Sequence, residues 1–199
     1  MKQIEVTTYV KQSLEDIDKI LPKIGFSLVR KSRIEDKYMI QDLSNLSKDN
    51  IIEHLQKCVL IRYLCVNENY ISSKLTYKNK KYSDDGIVLS EEKINVTIDN
   101  NDISKAEKLL EALGFKKLVD VNYDCIVYKN GDTELAFQDV EGLGLLLEYE
   151  NTSDFEGASD KEIIEEKIKM LNEIRSYNID ISDDYDIKKA YELVIKKGV

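Results

Sequence analysis

The sequence predicts an α+β fold: an eight-stranded antiparallel β-barrel built from two related halves and flanked by helices. Three observations carry this prediction. Eight segments alternate apolar and polar residues with period two, one helical stripe occurs twice, and the period turns helical after Asn151. The alternating segments lie near 3–10, 34–41, 58–66, 70–78, 92–98, 117–128, 133–139 and 144–150. Turn residues join them: Asn79-Lys80-Lys81, Asp84-Asp85-Gly86, Lys129-Asn130-Gly131-Asp132 and Glu141-Gly142-Leu143-Gly144. Most connections therefore read as hairpins.

The repeat is a helix. Ser13 through Phe26 can be laid without a gap on Asp102 through Phe115, which places Leu14, Ile17, Ile20, Leu21 and Ile24 on Ile103, Ala106, Leu109, Leu110 and Leu113. Ser13 and Asp102 are expected to cap the first turns, and Gly25 and Gly114 to end the helices in the left-handed conformation. Pro22 is expected to weaken the last turn of the first copy. Residues 47–57 suggest a short helix. Further on, Ser159 with Glu162 forms a capping box ahead of Ile164, Ile168, Leu171 and Ile174, and residues 184–196 read as a last helix. These two helices are expected to pack on the outside of the sheet. The 199 residues then form a single domain, with 1–99 as its first half, 100–150 as its second and 151–199 as C-terminal helices.

Composition narrows the function. The formal charge of −9, from 29 Lys and Arg against 38 Asp and Glu, argues against nucleic acid as a partner, because neutralising phosphates needs a basic surface. The longest apolar run, Cys58–Val66, is broken by Arg62 and falls far short of the roughly 20 residues that span a bilayer. No apolar signal core opens the chain, and three cysteines at no metal-ligand spacing suit a reducing compartment, so a cytoplasmic protein with a small-molecule ligand is expected.

Within the strands, alternation turns charged residues to one face: Gln3, Glu5 and Thr7; Leu60 and Arg62; Lys74, Thr76 and Lys78; Lys93, Asn95 and Thr97; Asp139; and Glu148 with Glu150. On an open sheet that face is simply solvated. On a closed sheet covered by helices it lines a water-filled cavity. Glu148 and Glu150, two apart, aim two carboxylates at one point, which suits a hard cation such as Mg2+ or Mn2+, with Asp139 on the neighbouring strand to complete the set. Arg62, Lys74 and Lys78 are the natural partners for an anion. His54, the only histidine, falls in the short helix and gives little support for histidine catalysis. Cys58, Cys65 and Cys125 read as packing residues. No Gly-rich phosphate loop, nucleophile elbow or Cys-His metal motif is present.

Asp139-Val140-Glu141-Gly142-Leu143-Gly144 followed by Glu148-Tyr149-Glu150 resembles the signature of the CYTH family, the class IV adenylate cyclases and thiamine triphosphatases also called triphosphate tunnel metalloenzymes. Asp36-Lys37-Tyr38, Leu75-Thr76-Tyr77-Lys78 and Ala190-Tyr191-Glu192-Leu193 extend the resemblance over nearly the whole chain. It implies an antiparallel tunnel whose bases grip a triphosphate and whose acids hold one or two divalent metals. At the matching positions this makes Glu5, Asp139, Glu148 and Glu150 the metal side, and Arg62, Lys74 and Lys78 the substrate side. The implied activity is metal-dependent binding of an organic triphosphate, with hydrolysis or cyclisation of ATP to cyclic AMP; no catalytic residue is assigned.

The departures from the pattern matter. Gln3-Ile4-Glu5-Val6-Thr7 stands where the family has Glu-x-Glu-x-Lys, and Leu60 with Arg62 where it has Arg-x-Arg. Ser90, Asn95, Tyr123 and Cys125 stand near an expected arginine, glutamate, lysine and arginine. Charge-assisted hydrogen bonds contribute roughly 1.5 to 3 kcal/mol each. Their loss favours an alternative, a tunnel protein that has lost the chemistry and holds a different small ligand. A third reading is an interaction protein with a solvated polar sheet face.

Overall fold

A computed structural model describes residues 4–41, 43–66, 69–153 and 155–198, so Gln3 lies outside the described residues. The alternating segments form strands β1 (Ile4–Tyr9), β2 (Ser27–Ile40), β3 (Lys57–Val66), β4 (Asn69–Tyr82), β5 (Val88–Ile98), β6 (Lys116–Asn130), β7 (Thr133–Val140) and β8 (Gly144–Asn151). Helices α1 (Leu14–Ile20), α2 (Ile51–Gln56), α3 (Ile103–Ala112), α4 (Asp160–Ser176) and α5 (Lys189–Lys196) accompany them. The result is an antiparallel eight-stranded sheet in the order β1-β8-β7-β6-β2-β3-β4-β5, with flanking helices. β2 starts well before the expected residue 34, because its first five residues are all exposed and carry no alternation to read.

Two compact units divide the chain. The first comprises Met1–Lys31, Asp124–Val140 and Gly144–Ile187; the second comprises Ser32–Tyr123, Glu141–Leu143 and Lys188–Val199.

In the first unit, β1 pairs with β8 so that Glu5 lies opposite Glu150 and Thr7 opposite Glu148, and β8 pairs with β7 so that Ala136 lies opposite Glu148. The alternate residues Ile4, Val6, Leu135, Phe137, Leu147 and Tyr149 are buried on the other face. α1 begins as expected, with the Asp16 amide donating to the Ser13 side chain, and the 3-10 turn Leu21–Ile24 around Pro22 ends at Gly25 with φ 91°.

α4 opens with both bonds of the Ser159–Glu162 capping box. Its buried face differs from the expected stripe. Ile163, Lys167, Met170, Leu171 and Ile174 are buried, whereas Ile168 is 44% exposed. A buried lysine is the reason. The Lys167 ammonium, 2% exposed, sits 2.7 Å from the Asp186 carboxylate, so a residue that hydropathy assigns to solvent takes a core position. Asp186 in turn belongs to a segment expected to be helical that is instead extended along β1. The Thr7 amide donates to the Tyr185 carbonyl, the Ile187 amide to the Thr7 carbonyl and the Ser182 amide to the Tyr9 carbonyl. Bonds that would otherwise stay open on β1 outcompete a first helical turn, and α5 starts only at Lys189.

In the second unit, Ile103 and Leu110 of α3 pack on Met39, Val59 and Ile61, with Tyr63, Leu75, Tyr77, Ile98 and Phe115 around them. α3 ends before Gly114 at φ 87°, matching Gly25. Its start does not match α1: Asp102 makes no cap bond to α3 and instead accepts Lys105, while Asp99 caps the preceding 3-10 turn at the Asn101 amide.

The buried pair gives a first prediction. Asp186→Ala leaves Lys167 charged in the interior and should cost about 3 kcal/mol in urea unfolding, while Lys167→Met with Asp186→Leu should recover most of that loss.

Candidate functional site: a cationic sheet face and an acidic strand pair

Register in the second unit decides which charges share a face. Asp36 lies opposite Arg62, Arg62 opposite Lys74, and Lys74 opposite Thr97. The next rows read Tyr38, Leu60, Thr76 and Asn95, then Cys58, Lys78 and Lys93, then Lys80 and Glu91. All of these side chains lie on the face of the sheet opposite α3, because the residues that pack on α3 have the other parity. Arg62, Lys74, Lys78, Lys80 and Lys93 thus outnumber Asp36 and Glu91. Tyr38, Cys58, Leu60 and Thr76 of this face are buried, whereas Lys74, Lys93, Asn95 and Thr97 are exposed.

Two ion-pair arrangements occupy this face. Arg62 forks onto Asp36, its Nε donating to Oδ1 and its Nη2 to Oδ2, both at 2.6 Å, and Nη2 also donates to the Tyr123 hydroxyl at 3.2 Å. Burial works against the guanidinium charge, but Asp36 outweighs it and raises the Arg62 pKa well above its ordinary value. Lys189 of α5 sits 4.9 Å from the centre of the Tyr123 ring, a cation–π contact that brings a further positive charge beside Arg62. The second arrangement centres on Glu91. Lys78, Lys80 and Lys93 place their ammonium nitrogens 2.9, 3.2 and 3.4 Å from its carboxylate oxygens. Burial raises the Glu91 pKa, but the three lysines outweigh it and hold the carboxyl well below the usual range. In the same row the Cys58 thiol is pushed up to about 11 by burial, which makes it a poor nucleophile at neutral pH.

The first unit carries the acids. Glu5 and Glu150 are direct cross-strand neighbours, and Glu148 shares their face two residues along β8. The Glu148 carboxylate accepts from Gln138 at 3.1 Å, and Glu5 accepts from the Thr7 hydroxyl at 3.2 Å. A cavity of about 710 Å3 in this unit is lined by Glu134, Glu148 and Glu150 together with Lys129. Asp139 stands apart from them: it pairs with Leu145, has the parity of Leu147 and Tyr149, and is exposed. The oxygen donors have the hard chemistry that magnesium or manganese requires. Among the described residues, no group of three or more His, Cys, Asp or Glu is gathered to hold a metal ion.

Of the residues singled out in the sequence, register gathers Arg62, Lys74 and Lys78 on one face and Glu5, Glu148 and Glu150 on another. Sequence reasoning missed Lys80, Glu91 and Lys189 as site residues. Lys80 and Glu91 were within reach, since Lys80 continues the parity of Lys74 and Lys78, and Glu91 has the parity of Lys93. Lys189 over Tyr123 is a long-range contact with no local signal.

No protein-family model matches the chain. A Methanocaldococcus jannaschii protein named "Putative adenylate cyclase" is 30% identical over 185 residues, covering 92% of this chain and 94% of that protein. The chain belongs to the CYTH family. Solved structures agree at the level of fold. A Pyrococcus horikoshii protein superposes with a TM-score of 0.71 at 24% identity, covering 98% of this chain and 99% of its own. A structure from Vibrio parahaemolyticus titled as a putative adenylate cyclase gives 0.67 at 11% identity, with 98% of each chain covered. The CYTH signature segment has a structural basis here. Gly142 takes φ 81° in the β7–β8 turn, its carbonyl accepts from Lys196 of α5 at 2.9 Å, and a Cβ there would meet Leu193 at 3.2 Å. Among the described residues, no helix is long and apolar enough to cross a membrane.

The Glu91 cluster has a defined pH signature. A carboxyl held below its unfolded value of about 4.5 stabilises the fold fully above that pH and loses its contribution as the pH falls through the folded value. The stability gap between the wild type and Glu91→Gln should therefore be constant from pH 7 to about pH 5 and close on further acidification, read by urea unfolding at each pH.

Proposed function

We propose that this CYTH protein binds the phosphates of an organic triphosphate on the cationic face of its second unit and converts it by cyclisation or hydrolysis, with ATP as the leading substrate. The supporting observation is the set of Lys74, Lys78, Lys80, Lys93 and Arg62 on one sheet face, with Arg62, Lys78 and Lys80 half-buried. That excess of cations, on a chain of net charge −9, suits a polyanion. The Methanocaldococcus jannaschii relative's name supports the choice of a nucleotide.

In this proposal the facing carboxylates of Glu5 and Glu150 would offer two oxygen ligands to Mg2+ or Mn2+, with water completing the shell. Two carboxylates directly opposite on neighbouring strands disfavour each other, and a divalent cation between them relieves that repulsion. A divalent ion there would supply charge neutralisation. The chain's own lysines orient the phosphates by charge-assisted hydrogen bonds.

A second reading keeps the phosphate site and drops the turnover: a binding protein for a less highly charged ligand. The Arg62–Asp36 fork favours it, because a guanidinium already committed to a buried carboxylate offers fewer donors to substrate.

Thermal melts with ATP, thiamine triphosphate or tripolyphosphate, each with Mg2+ or Mn2+, test both readings. The first expects a rise in Tm with nucleotide plus metal and formation of cyclic AMP or inorganic phosphate. A rise without product selects the second, and no rise at millimolar ligand removes both. Glu150→Gln should raise the metal-free Tm by relieving the repulsion and abolish any increment from metal alone; an unchanged response to metal would remove these acids from the metal site.

A further inference from the structure

We infer that Glu91 is an internal competitor for the phosphate site: its carboxylate occupies the lysine cluster in place of a terminal phosphate and thereby sets how many phosphates the site accepts. The inference rests on the reading of this face as a phosphate site, and deepens it by naming a specificity-determining residue.

The geometry is that of an occupied anion site. Three ammonium groups from two adjacent strands converge on one carboxylate, within 2.9 to 3.4 Å. Glu91 is 13% exposed, Lys78 15% and Lys80 18%, while Lys93 at 30% closes the cluster on its solvent side. Lys78 and Lys93 are direct cross-strand neighbours, a like-charge pair that is unfavourable unless an anion sits beside it. Glu91 supplies that anion from the strand of Lys93, so the lysines are already neutralised in part. Cys58, the side chain that faces Lys78 from β3, is held as a neutral thiol and adds no charge.

An incoming polyphosphate gains the lysines only by displacing Glu91 or by sharing them with it. Either route puts phosphate oxygens beside a carboxylate in a partly desolvated site, where like charges repel more strongly than in water. The cost falls on the phosphate that reaches furthest into the cluster. A ligand with fewer phosphates, held by Lys74, avoids most of it. Glu91 therefore lowers the affinity for the longer polyphosphate below what the lysines alone would give.

Calorimetric titration of the full chain with tripolyphosphate, pyrophosphate and orthophosphate tests this. Glu91→Gln should bind tripolyphosphate at least tenfold more tightly than the wild type, with a smaller gain for pyrophosphate and the least for orthophosphate. Its ligand-free Tm should fall, since three lysines then lack their shared anion, and tripolyphosphate should restore it. The variant Glu91→Gln with Lys80→Gln keeps the cluster's net charge while removing the internal carboxylate together with one of its three lysines. Tighter tripolyphosphate binding by this double variant than by wild type supports displacement, and it also carries the test should Glu91→Gln fail to fold. Equal affinities in the wild type and both variants would overturn the role of Glu91 while leaving the phosphate site standing. No binding of any of the three anions by any of the proteins would overturn the phosphate site, and the inference with it.

Discussion

Charges taken out of bulk water must be neutralised, and on this sheet they are neutralised by one another. A strand turns every second residue to the same side, so a face that carries Arg62, Lys74, Lys78, Lys80 and Lys93 concentrates positive charge whatever the ligand. Lysine and arginine seldom stay half-buried without partners. Asp36 serves Arg62 from a neighbouring strand, and Glu91 serves Lys78 and Lys80 from a neighbouring strand and Lys93 from its own. The first unit shows the same constraint with the sign reversed: Gln138 and Thr7 donate to the carboxylates of Glu148 and Glu5. Lys167 and Asp186 apply it once more midway along α4, where the pair ties that helix to the segment extended along β1.

How much of this was legible in the sequence depends on the range of the interaction. Parity within a strand is local, and it places Glu148 with Glu150 and Lys74 with Lys78 from their spacing alone. Caps are local too, and Ser13 and the Ser159–Glu162 box act as the sequence suggests. Register between strands is not local. Asp139 shares its face with Leu147 rather than Glu148 because β7 pairs Ala136, not Asp139's parity, with Glu148. Alternation within residues 133–139 already sets Asp139 with the apolar Leu135 and Phe137, and register then puts that parity beside Leu147. Lys167 illustrates another limit: a lysine reads as solvent-facing until its partner, 19 residues further on, is known to approach. The same holds for residues 184–188, where helical periodicity yields to the bonds that β1 offers.

The departures from the CYTH pattern acquire a physical meaning through these pairs. Tyr123 stands where the family is expected to carry a lysine, yet positive charge reaches the place by another route: Lys189 lies over the Tyr123 ring, and Arg62 bonds its hydroxyl. A tyrosine flanked by two cations presents a neutral acceptor, whereas a lysine there would add a third charge to be balanced. Cations are therefore redistributed on this face as well as removed. Family membership fixes the sheet and its signature turn, and these particular pairs fix what the face can hold.

The two pairings also differ in how readily a ligand can enter them. Arginine's planar fork matches a carboxylate with two parallel bonds, and the Arg62–Asp36 pair has that geometry, with Asp36 2% exposed. Exchanging such a pair for an external anion means breaking both bonds at once and leaving Asp36 buried without its partner. Lysine is a point charge on a flexible stem, with three donors and no preferred fork. Lys78, Lys80 and Lys93 can each shift an ammonium group from Glu91 toward a neighbouring oxygen while keeping other donors engaged. The arginine pair behaves as a clamp that joins β2 to β3, and the lysine cluster is the part of the face where an anion can be exchanged. That division, fixed charge at Arg62 and exchangeable charge at Glu91, is why the variable element of ligand choice is assigned to β4 and β5.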